Sequence, residues 1–501
     1  MARATTQKQL FVLADMHKDL RCAFEADTDA DLAAPAIKHL YVPESHVKAL
    51  DLSYPLVIGA RGTGKSVWWN ALQSSAHREA IARHLNALDE EGRGSKAAFE
   101  SLRSADIVAG YGVNPELLDP PLPTREEWAA LLDVYAPEVI WRTILAWLTW
   151  GRAKDSPIAA MTAWDQRAAW ITVEPAAAAQ RFAGYDRARQ EAGRTTVVLF
   201  DGIDRSALDW RRLRLITRGL LQCLLDFRGY RSLRLKAFLR PDIADDPIAN
   251  NFPDASKLKA ARVELRWGTQ ELYTLVWQRL ANESLRFRNW THRLDNRIRW
   301  RDDSAADIWS VPLPLRTDPS LQQQVLHEMT GPRVVRSLPY RWLIQELKDA
   351  TGLVSPRSLL RVFKIASEHP LPDDSSYVLP PKALEAGLRI AAKLRTDEIA
   401  EDFPWIGETI NALKDLVVPN QFAEVVKCWK RNDVLQRVLE VCEGSGKLPP
   451  RRLDLGMDGL RADLIEIGLF VEREDGRVDV PEVARVGFGL RRHGGVRPHR
   501  G

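Results

Sequence analysis

The chain has 501 residues, of which 45% are hydrophobic and 28% are charged, so it is long enough for several globular domains and is not a disordered or fibrous protein. A formal net charge of +4 is too mild for this length to indicate nucleic-acid binding by itself. The four cysteines form no C-x-x-C pair, so we expect neither a disulfide scaffold nor a cysteine metal site, and a reducing cytoplasm fits. The start of the chain has no long apolar segment of the kind a signal peptide needs, and no apolar stretch is long enough to span a membrane, so we expect no membrane contact.

The first fifty residues predict a charged, helical lead that ends in a loop near Pro43. The apolar run Tyr54–Ile58 then predicts a short buried strand. It is followed by a segment that fits G-x-x-x-x-G-K-[ST] and by apolar residues that can continue as a helix. The nucleotide-binding residues predicted from this pattern are Gly59, Ala60, Arg61, Gly62, Thr63, Gly64, Lys65, Ser66 and Val67.

A strand, a glycine-rich loop and a helix in this order indicate a phosphate-binding P-loop. The glycines allow backbone N–H groups to turn toward an anion, and the helix directs its positive end at the same anion. Lys65 is expected to contact the β- and γ-phosphates, and the Ser66 hydroxyl to ligate Mg²⁺. The predicted cofactors are therefore ATP and Mg²⁺. An accidental glycine-rich turn is the alternative, and the flanking elements disfavour it.

The next stretch, residues 77–190, is predicted to be an insertion that carries one strand and several helices. After it, Thr195–Phe200 is the clearest buried strand of the chain. Residues 208–227 have helical spacing, and Leu233–Leu239 is a further strand candidate. Strands that alternate with helices predict an α/β fold, with a parallel sheet and helices on both faces.

Two aspartates follow the strand at 195–200. Asp201 stands at the strand's carboxyl end, where open α/β sheets place ligand chemistry, and it is the candidate second ligand of Mg²⁺. Asp204 is the candidate that orients or deprotonates the attacking water. A surface turn built on Asp-Gly is the alternative interpretation. The presence of the P-loop favours the roles in Mg²⁺ binding and catalysis over the surface turn.

This strand and the Asp201-Gly202-Ile203-Asp204 segment resemble the Walker B motif of NACHT-type and KAP-type ATPases, in the STAND branch of the AAA+-related P-loop proteins. The resemblance covers about residues 50–370. It implies that Arg240, at the end of the next strand, senses the γ-phosphate, and that Arg357, at the start of a later helix, is a second sensor. Surface or helix-capping ion pairs are the alternative for both arginines.

The chain departs from both family patterns at the acidic positions. Arg205 stands where the NACHT pattern has a second acid, and Gly202 stands where the KAP pattern has Asp. The resemblance therefore implies slow hydrolysis. It also implies a role as a nucleotide-dependent switch or assembly, as in bacterial antiphage defence, with a homo-oligomer or an effector protein as partner.

From Thr269 onward the pattern is mainly helical, and Leu460–Val480 predicts a helix, a strand, a tight turn and a strand, typical of a winged helix. The predicted domains are an N-terminal lead (1–50), a P-loop NTPase domain (51–266, with the insertion at 77–190), a helical lid (267–370) and a C-terminal helical and winged-helix-like domain (371–501).

A DNA-binding regulator with a structural ATP site is the first alternative function, and a P-loop kinase is a second, although the sequence shows no clear acceptor pocket or short arginine-bearing lid for a kinase. The winged-helix pattern and two arginine-rich stretches motivate the regulator, since such stretches can bind phosphate backbones. More often they are helix faces paired with acids. The stretches comprise Arg205, Arg211, Arg212, Arg214, Arg218, Arg228, Arg231 and Arg234, and then Arg286, Arg288, Arg293, Arg297, Arg299 and Arg301.

Overall fold

The computed structural model of the chain describes residues 2–25, 34–90, 102–112, 114–303, 308–334 and 337–492. The chain divides into two compact units. The sheet unit contains residues 28–35 and 42–266, and the helical unit contains residues 1–27, 36–41 and 267–501. Residues 1–27 thus belong to the helical unit. The further separation of residues 267–370 from 371–501 stays a prediction.

The helices are numbered along the chain, and α1 (Ala2–Glu25) belongs to the helical unit. The sheet unit contains α2 (Val47–Leu50), α3 (Lys65–Gln73), α4 (Ser75–Glu90), α5 (Arg125–Leu132), α6 (Pro137–Ala146), α7 (Trp164–Val173), α8 (Pro175–Glu191), α9 (Trp210–Asp226), α10 (Pro241–Ala244) and α11 (Ala255–Ala260). The helical unit continues with α12 (Thr269–Glu283), α13 (Leu285–Leu294), α14 (Leu313–Thr317), α15 (Pro319–Thr330), α16 (Pro339–Leu347), α17 (Pro356–Glu368), α18 (Pro381–Asp402), α19 (Trp405–Asn411), α20 (Phe422–Arg431), α21 (Val434–Ser445), α22 (Gly456–Glu466) and α23 (Glu482–Phe488).

The sheet unit is built on five parallel strands in the order β2-β3-β4-β1-β5, flanked by helices. The strands are β1 (Leu56–Ile58), β2 (Ala105–Tyr111), β3 (Thr195–Phe200), β4 (Leu233–Leu239) and β5 (Arg262–Glu264). The α/β architecture predicted from alternating strands and helices is confirmed at this level. A sheet covered in this way hides its strands from water, which explains the nearly continuous apolar runs of β1 and β3.

Local sequence explains where several elements begin and end. The helical region predicted at 164–190 is two helices, because Pro175 lacks a backbone N–H and cannot continue α7. Thr124 and Glu127 form a capping box that starts α5. The fifth strand, β5, was not predicted, since only three residues form it and two of them, Arg262 and Glu264, are charged.

Aromatic residues attach α6 to the sheet. The Trp141 ring packs edge-on against Phe200 at 5.3 Å and against Tyr111 at 6.0 Å between ring centroids. The Trp141 indole N–H donates to the Ile216 carbonyl at 2.8 Å. This bond satisfies an indole N–H that burial removes from water. These contacts explain part of the high tryptophan content as core packing.

The helical unit has a large apolar core to which α1, α12, α17 and α18 contribute. Phe24 of α1 stacks on Phe363 of α17, with 5.7 Å between ring centroids. A second core near the chain end surrounds Trp429, whose indole N–H donates to the Thr409 carbonyl at 2.8 Å.

Near the chain end, α22 is followed by an antiparallel hairpin of β10 (Val471–Glu472) and β11 (Arg477–Asp479), and β11 also pairs with β9 (Asn420–Gln421). The hairpin turn closes through a 2.9 Å bond from the Gly476 N–H to the Arg473 carbonyl. The remaining strands are β6 (Arg301–Asp303), β7 (Ile308–Ser310), β8 (Val417–Val418) and β12 (Arg491–Arg492). Of the helices in the described ranges, none combines the length and apolarity that a membrane span requires.

Candidate functional site

The candidate site lies at the carboxyl edge of the sheet. Residue 58 of β1 is in register with residues 239 of β4 and 264 of β5, so these strands end together. The loop 59–64, Asp201 and Arg240 each follow one of the strands β1, β3 and β4. Parallel strands bring their carboxyl ends to one edge, and side chains far apart in sequence therefore meet there.

The loop 59–64 has the backbone that its glycines allow. Gly62 and Gly64 have φ angles of +79° and +105°, in the left-handed region that favours glycine. The loop turns tightly because the Thr63 N–H and hydroxyl both donate to the Ala60 carbonyl, at 3.3 and 2.8 Å. The loop is anchored to the sheet by a 3.0 Å bond from the Gly59 N–H to the Leu239 carbonyl.

Gly59 is required by close packing. A Cβ atom at this position would lie 2.5 Å from Thr63 Oγ1, 3.0 Å from Lys65 Cγ and 3.3 Å from Leu265 Cδ1. The first of these distances is shorter than any ordinary contact. The loop therefore curls back on its own first residue, and a side chain there would push its second half outward.

Lys65 is the first residue of α3 and bends back over the loop. Its Nζ donates to the Gly59 carbonyl at 2.8 Å and to the Ala60 carbonyl at 3.1 Å. Burial lowers the pKa of Lys65 to about 8, against the attraction of the Asp201 carboxylate. The ammonium group is thus held inside the concave side of the loop by two neutral carbonyl groups, which are weaker partners than an anion.

Ser66 and Asp201 meet although they come from different elements. The Ser66 hydroxyl donates to Asp201 Oδ2 at 3.1 Å, and Asp201 is buried. Burial raises the pKa of Asp201 to about 6, while the positive charge of Lys65 opposes the shift. A hydroxyl beside a carboxylate offers two oxygen atoms to a hard divalent cation.

These two oxygen atoms cannot complete a metal site alone. In the portions of the chain that the structure describes, no group of three or more His, Cys, Asp or Glu side chains is placed to hold a metal ion. Mg²⁺ typically takes one or two protein ligands, and substrate phosphates and waters supply the rest. The pair therefore fits Mg²⁺ delivered with a phosphorylated ligand.

Asp204 and Arg240 form an ion pair across the ends of β3 and β4. Arg240 Nη1 lies 3.2 Å from Asp204 Oδ2. Burial tends to raise the pKa of Asp204, but the positive charges of Arg240, Lys65 and Arg61 outweigh it, so that this pKa is lowered. Asp204 is therefore an ionised carboxylate in this state, with one oxygen on Arg240.

Asp242 is a second partner of Arg240. Nε of Arg240 donates to Asp242 Oδ1 at 3.0 Å, and Nη2 donates to Oδ2 at 2.5 Å. Burial acts to lower the pKa of Arg240, but the two carboxylates dominate and raise it. The sequence did not single out Asp242, because an acid two residues after an arginine has many ordinary surface uses.

A buried histidine supports the helix that follows the loop. The Trp68 indole N–H donates to His46 Nδ1 at 3.0 Å, so the other ring nitrogen, Nε2, carries the proton and donates to the Arg266 carbonyl at 3.1 Å. Burial lowers the pKa of His46 to about 3, which keeps the ring neutral. His46 was also missed from sequence, where a lone histidine carries no pattern.

Arg357 lies in the helical unit, at the start of α17. It pairs with Glu398 of α18 at 3.4 Å, and Arg361 and Arg395 approach the same glutamate. Burial acts to raise the pKa of Glu398, but the three arginines lower it. An ion-pair role within the helical unit is thus seen for Arg357, and its sensor role stays a prediction.

Several residues of the arginine-rich stretches are partners of acids within the fold. Arg214 pairs with the buried Asp246 at 3.0 Å, and Arg286 pairs with Asp19 at 3.2 Å. The Arg288 guanidinium lies over the Trp309 ring, 4.2 Å from its centroid. These contacts favour paired helix faces over a phosphate-binding surface.

Comparisons of this chain with protein-family models, with curated proteins and with solved structures found no match. The functional argument therefore depends on the geometry of the site.

Proposed function

We propose that the chain is a P-loop ATPase that binds ATP with Mg²⁺ at the carboxyl edge of its five-stranded sheet and hydrolyses it slowly to ADP and phosphate. The observation that carries the proposal is the convergence of three groups at one loop. Lys65 Nζ lies inside the loop 59–64, and the Ser66 hydroxyl meets the Asp201 carboxylate beside it. This combination suits a triphosphate and its cation.

The roles of the residues follow from phosphoryl-transfer chemistry, which depends mostly on positioning and on neutralising charge. Lys65 and the loop N–H groups would hold the β- and γ-phosphates, with Lys65 exchanging two carbonyl partners for an anion. Ser66 and Asp201 would hold Mg²⁺, which neutralises phosphate charge. Asp204 would orient the attacking water, and Arg240 would sense the γ-phosphate.

The resemblance to STAND and AAA+-type ATPases extends the proposal. We infer a nucleotide-dependent switch or assembly in which residues 267–370 act as the helical lid and Arg357 as a second sensor. A role in bacterial antiphage defence, with a homo-oligomer or an effector protein as partner, belongs to the same proposal. The order of helix and hairpin at 456–479 is the observation that supports a winged-helix part.

The charge of the helix and hairpin near the chain end speaks against the first alternative function, a DNA-binding regulator. Residues 451–479, which contain α22 and the hairpin, carry eight carboxylates and five arginines. Several of these arginines are paired, as Arg452 is with the buried Asp463. A negatively charged helix and hairpin repel a phosphate backbone. The ATPase is therefore the better proposal.

The direct test is nucleotide binding and hydrolysis by the purified full chain and by Lys65→Ala. We expect the wild type to bind ATP in the presence of Mg²⁺ and to release phosphate, and Lys65→Ala to lose both while it stays folded. The matched control is Lys48→Ala, which removes an exposed lysine of the same unit. Unchanged ATP affinity in Lys65→Ala would overturn the proposal.

A further inference from the structure

We propose that Asp242 is a positioning residue that gives the site its preference for ATP over ADP, by holding the Arg240 guanidinium in one orientation. The inference rests on the proposed function, since it concerns how Arg240 senses a γ-phosphate. Asp242 lies in the first turn of α10, directly after β4. Pro241, between the two residues, fixes its own φ angle and so stiffens the turn that brings Asp242 back to Arg240.

The Asp242 carboxylate binds one whole edge of the guanidinium. Its two oxygens accept from Nε at 3.0 Å and from Nη2 at 2.5 Å. Paired bonds of this kind fix the plane of the guanidinium as well as its position. The Arg240 side chain is 14% exposed and that of Asp242 18%, so water competes little for these bonds.

The opposite edge of the guanidinium faces Asp204. Nη1 donates to Asp204 Oδ2 at 3.2 Å, a longer and single bond. With Nε and Nη2 held by Asp242, Nη1 is the group that can change partners. A γ-phosphate near Asp204 would compete for it, because both are anions and the phosphate carries more charge.

This arrangement joins two events in one exchange. When Nη1 donates to a γ-phosphate instead of Asp204, the Asp204 carboxylate loses its arginine partner and can accept a hydrogen bond from water in its place. ADP has no γ-phosphate, so Nη1 stays on Asp204. The exchange requires the guanidinium to remain in its plane, and Asp242 supplies that constraint.

The test compares the affinities of the full chain for a non-hydrolysable ATP analogue and for ADP, each with Mg²⁺, by titration calorimetry. Asp242→Asn removes the charge with little change in shape. We expect the affinity of this variant for the analogue to fall about five- to tenfold, because the charged hydrogen bond from Arg240 to the γ-phosphate is weakened. The affinity for ADP should change less than about twofold. Asp242→Glu, which restores a carboxylate, should recover part of the preference.

Two further variants separate positioning from a structural role. Arg240→Ala should lose the preference for the analogue, and Arg240→Ala with Asp242→Asn should be no worse, because Asp242 acts only through Arg240. Asp245→Asn is the matched control, since Asp245 is the next acid of this segment and pairs with Arg262 instead. It should keep the wild-type preference.

These measurements distinguish a wrong proposed function from a wrong role for Asp242. If the wild type binds neither nucleotide, the proposed function is wrong, and this inference is wrong with it. If Arg240→Ala loses the preference while Asp242→Asn keeps it, the ATPase stands and the role of Asp242 is wrong. Equal losses of analogue and ADP affinity in Asp242→Asn also overturn the inference, because they indicate a structural role.

Discussion

Ser66 and Asp201 are 135 positions apart in the chain, yet the Ser66 hydroxyl donates to the Asp201 carboxylate at 3.1 Å. The sheet order explains the meeting, because β4 alone separates the strands that precede the two residues. The same edge carries Asp204 and Arg240, so the proposed cation ligands, water-orienting acid and phosphate sensor lie within one small region. The predictions below treat these groups separately.

Substitutions of the two aspartates that follow β3 are expected to affect ATP binding and hydrolysis differently. Asp201→Ala should weaken Mg²⁺-dependent ATP binding and hydrolysis together, because it removes a cation ligand. Asp204→Asn should keep ATP binding and slow hydrolysis by about 100-fold or more, the usual loss when a positioned acid–base group is removed. Binding is measured by calorimetry and hydrolysis by phosphate release. Wild-type hydrolysis by Asp204→Asn would show that the assigned role is wrong.

Gly59→Ala is expected to damage the site without unfolding the protein. The added Cβ would lie 2.5 Å from Thr63 Oγ1, so the loop must shift and Lys65 must move with it. We expect ATP affinity to fall by at least about tenfold, which corresponds to the loss of about one charged hydrogen bond. Gly184→Ala is the control: nothing lies within 4 Å of its Cβ position in α8, and the substitution should leave ATP affinity unchanged. Equal affinities for both variants would contradict the close-packing argument.

Asp201→Asn is expected to stabilise the nucleotide-free protein at neutral pH. Burial raises the pKa of Asp201 to about 6 even with Lys65 nearby, so the ionised carboxylate destabilises the folded state. This penalty is absent at low pH and complete above the folded pKa, and at pH 7.5 it amounts to about 2–3 kcal/mol. The thermal midpoint should therefore rise more at pH 7.5 than at pH 5.

The control for this stability measurement is Asp133→Asn, which changes a carboxylate of the same unit that is 71% exposed. Its midpoint should match the wild type at both pH values. A gain for Asp201→Asn that is the same at pH 5 and pH 7.5 would contradict the raised pKa.

Residue patterns predicted the parts of this site that a continuous segment encodes. The loop from Gly59 to Ser66 and the strand before Asp201 have apolar runs and glycine spacing that can be recognised without a structure. The parallel sheet followed from the alternation of such strands with helices. The residues that support the site were not predictable in this way. His46 is defined by contacts with residues distant in the sequence, Trp68 and Arg266. Asp242 lies only two residues from its partner Arg240, but the paired bonds between them appear only in the folded turn.

His46 is expected to make the sheet unit sensitive to acid. Its pKa is lowered to about 3 by burial, so the unfolded chain binds a proton that the folded protein excludes. The contribution of the neutral His46 ring to the free energy of unfolding is fully present above pH 6.5, the pKa of histidine in the unfolded chain. It is lost as the pH falls toward the pKa of His46 in the folded protein. Between pH 6.5 and pH 5 the loss amounts to about 2 kcal/mol.

His46→Gln separates this titration from the hydrogen bonds. A glutamine amide can accept from the Trp68 indole and donate to the Arg266 carbonyl, but it does not titrate. The difference in thermal midpoint between wild type and His46→Gln should therefore shift in favour of the glutamine variant as the pH is lowered from 7 to 5. A difference that is independent of pH would show that His46 is not held neutral.

The last prediction concerns coupling between nucleotide and conformation. A ligand shifts an equilibrium between two arrangements only if it binds them with different affinity. Arg240 is the group best placed to tell ATP from ADP, and a charged hydrogen bond contributes about 1.5–3 kcal/mol, which gives about a ten- to hundredfold preference. We therefore expect the ATP analogue to change the compactness or oligomeric state of the full chain relative to ADP. Arg240→Ala should abolish the difference and still bind ADP. Small-angle scattering and sedimentation with each nucleotide measure both quantities, and identical wild-type profiles would favour a plain ATPase over a switch.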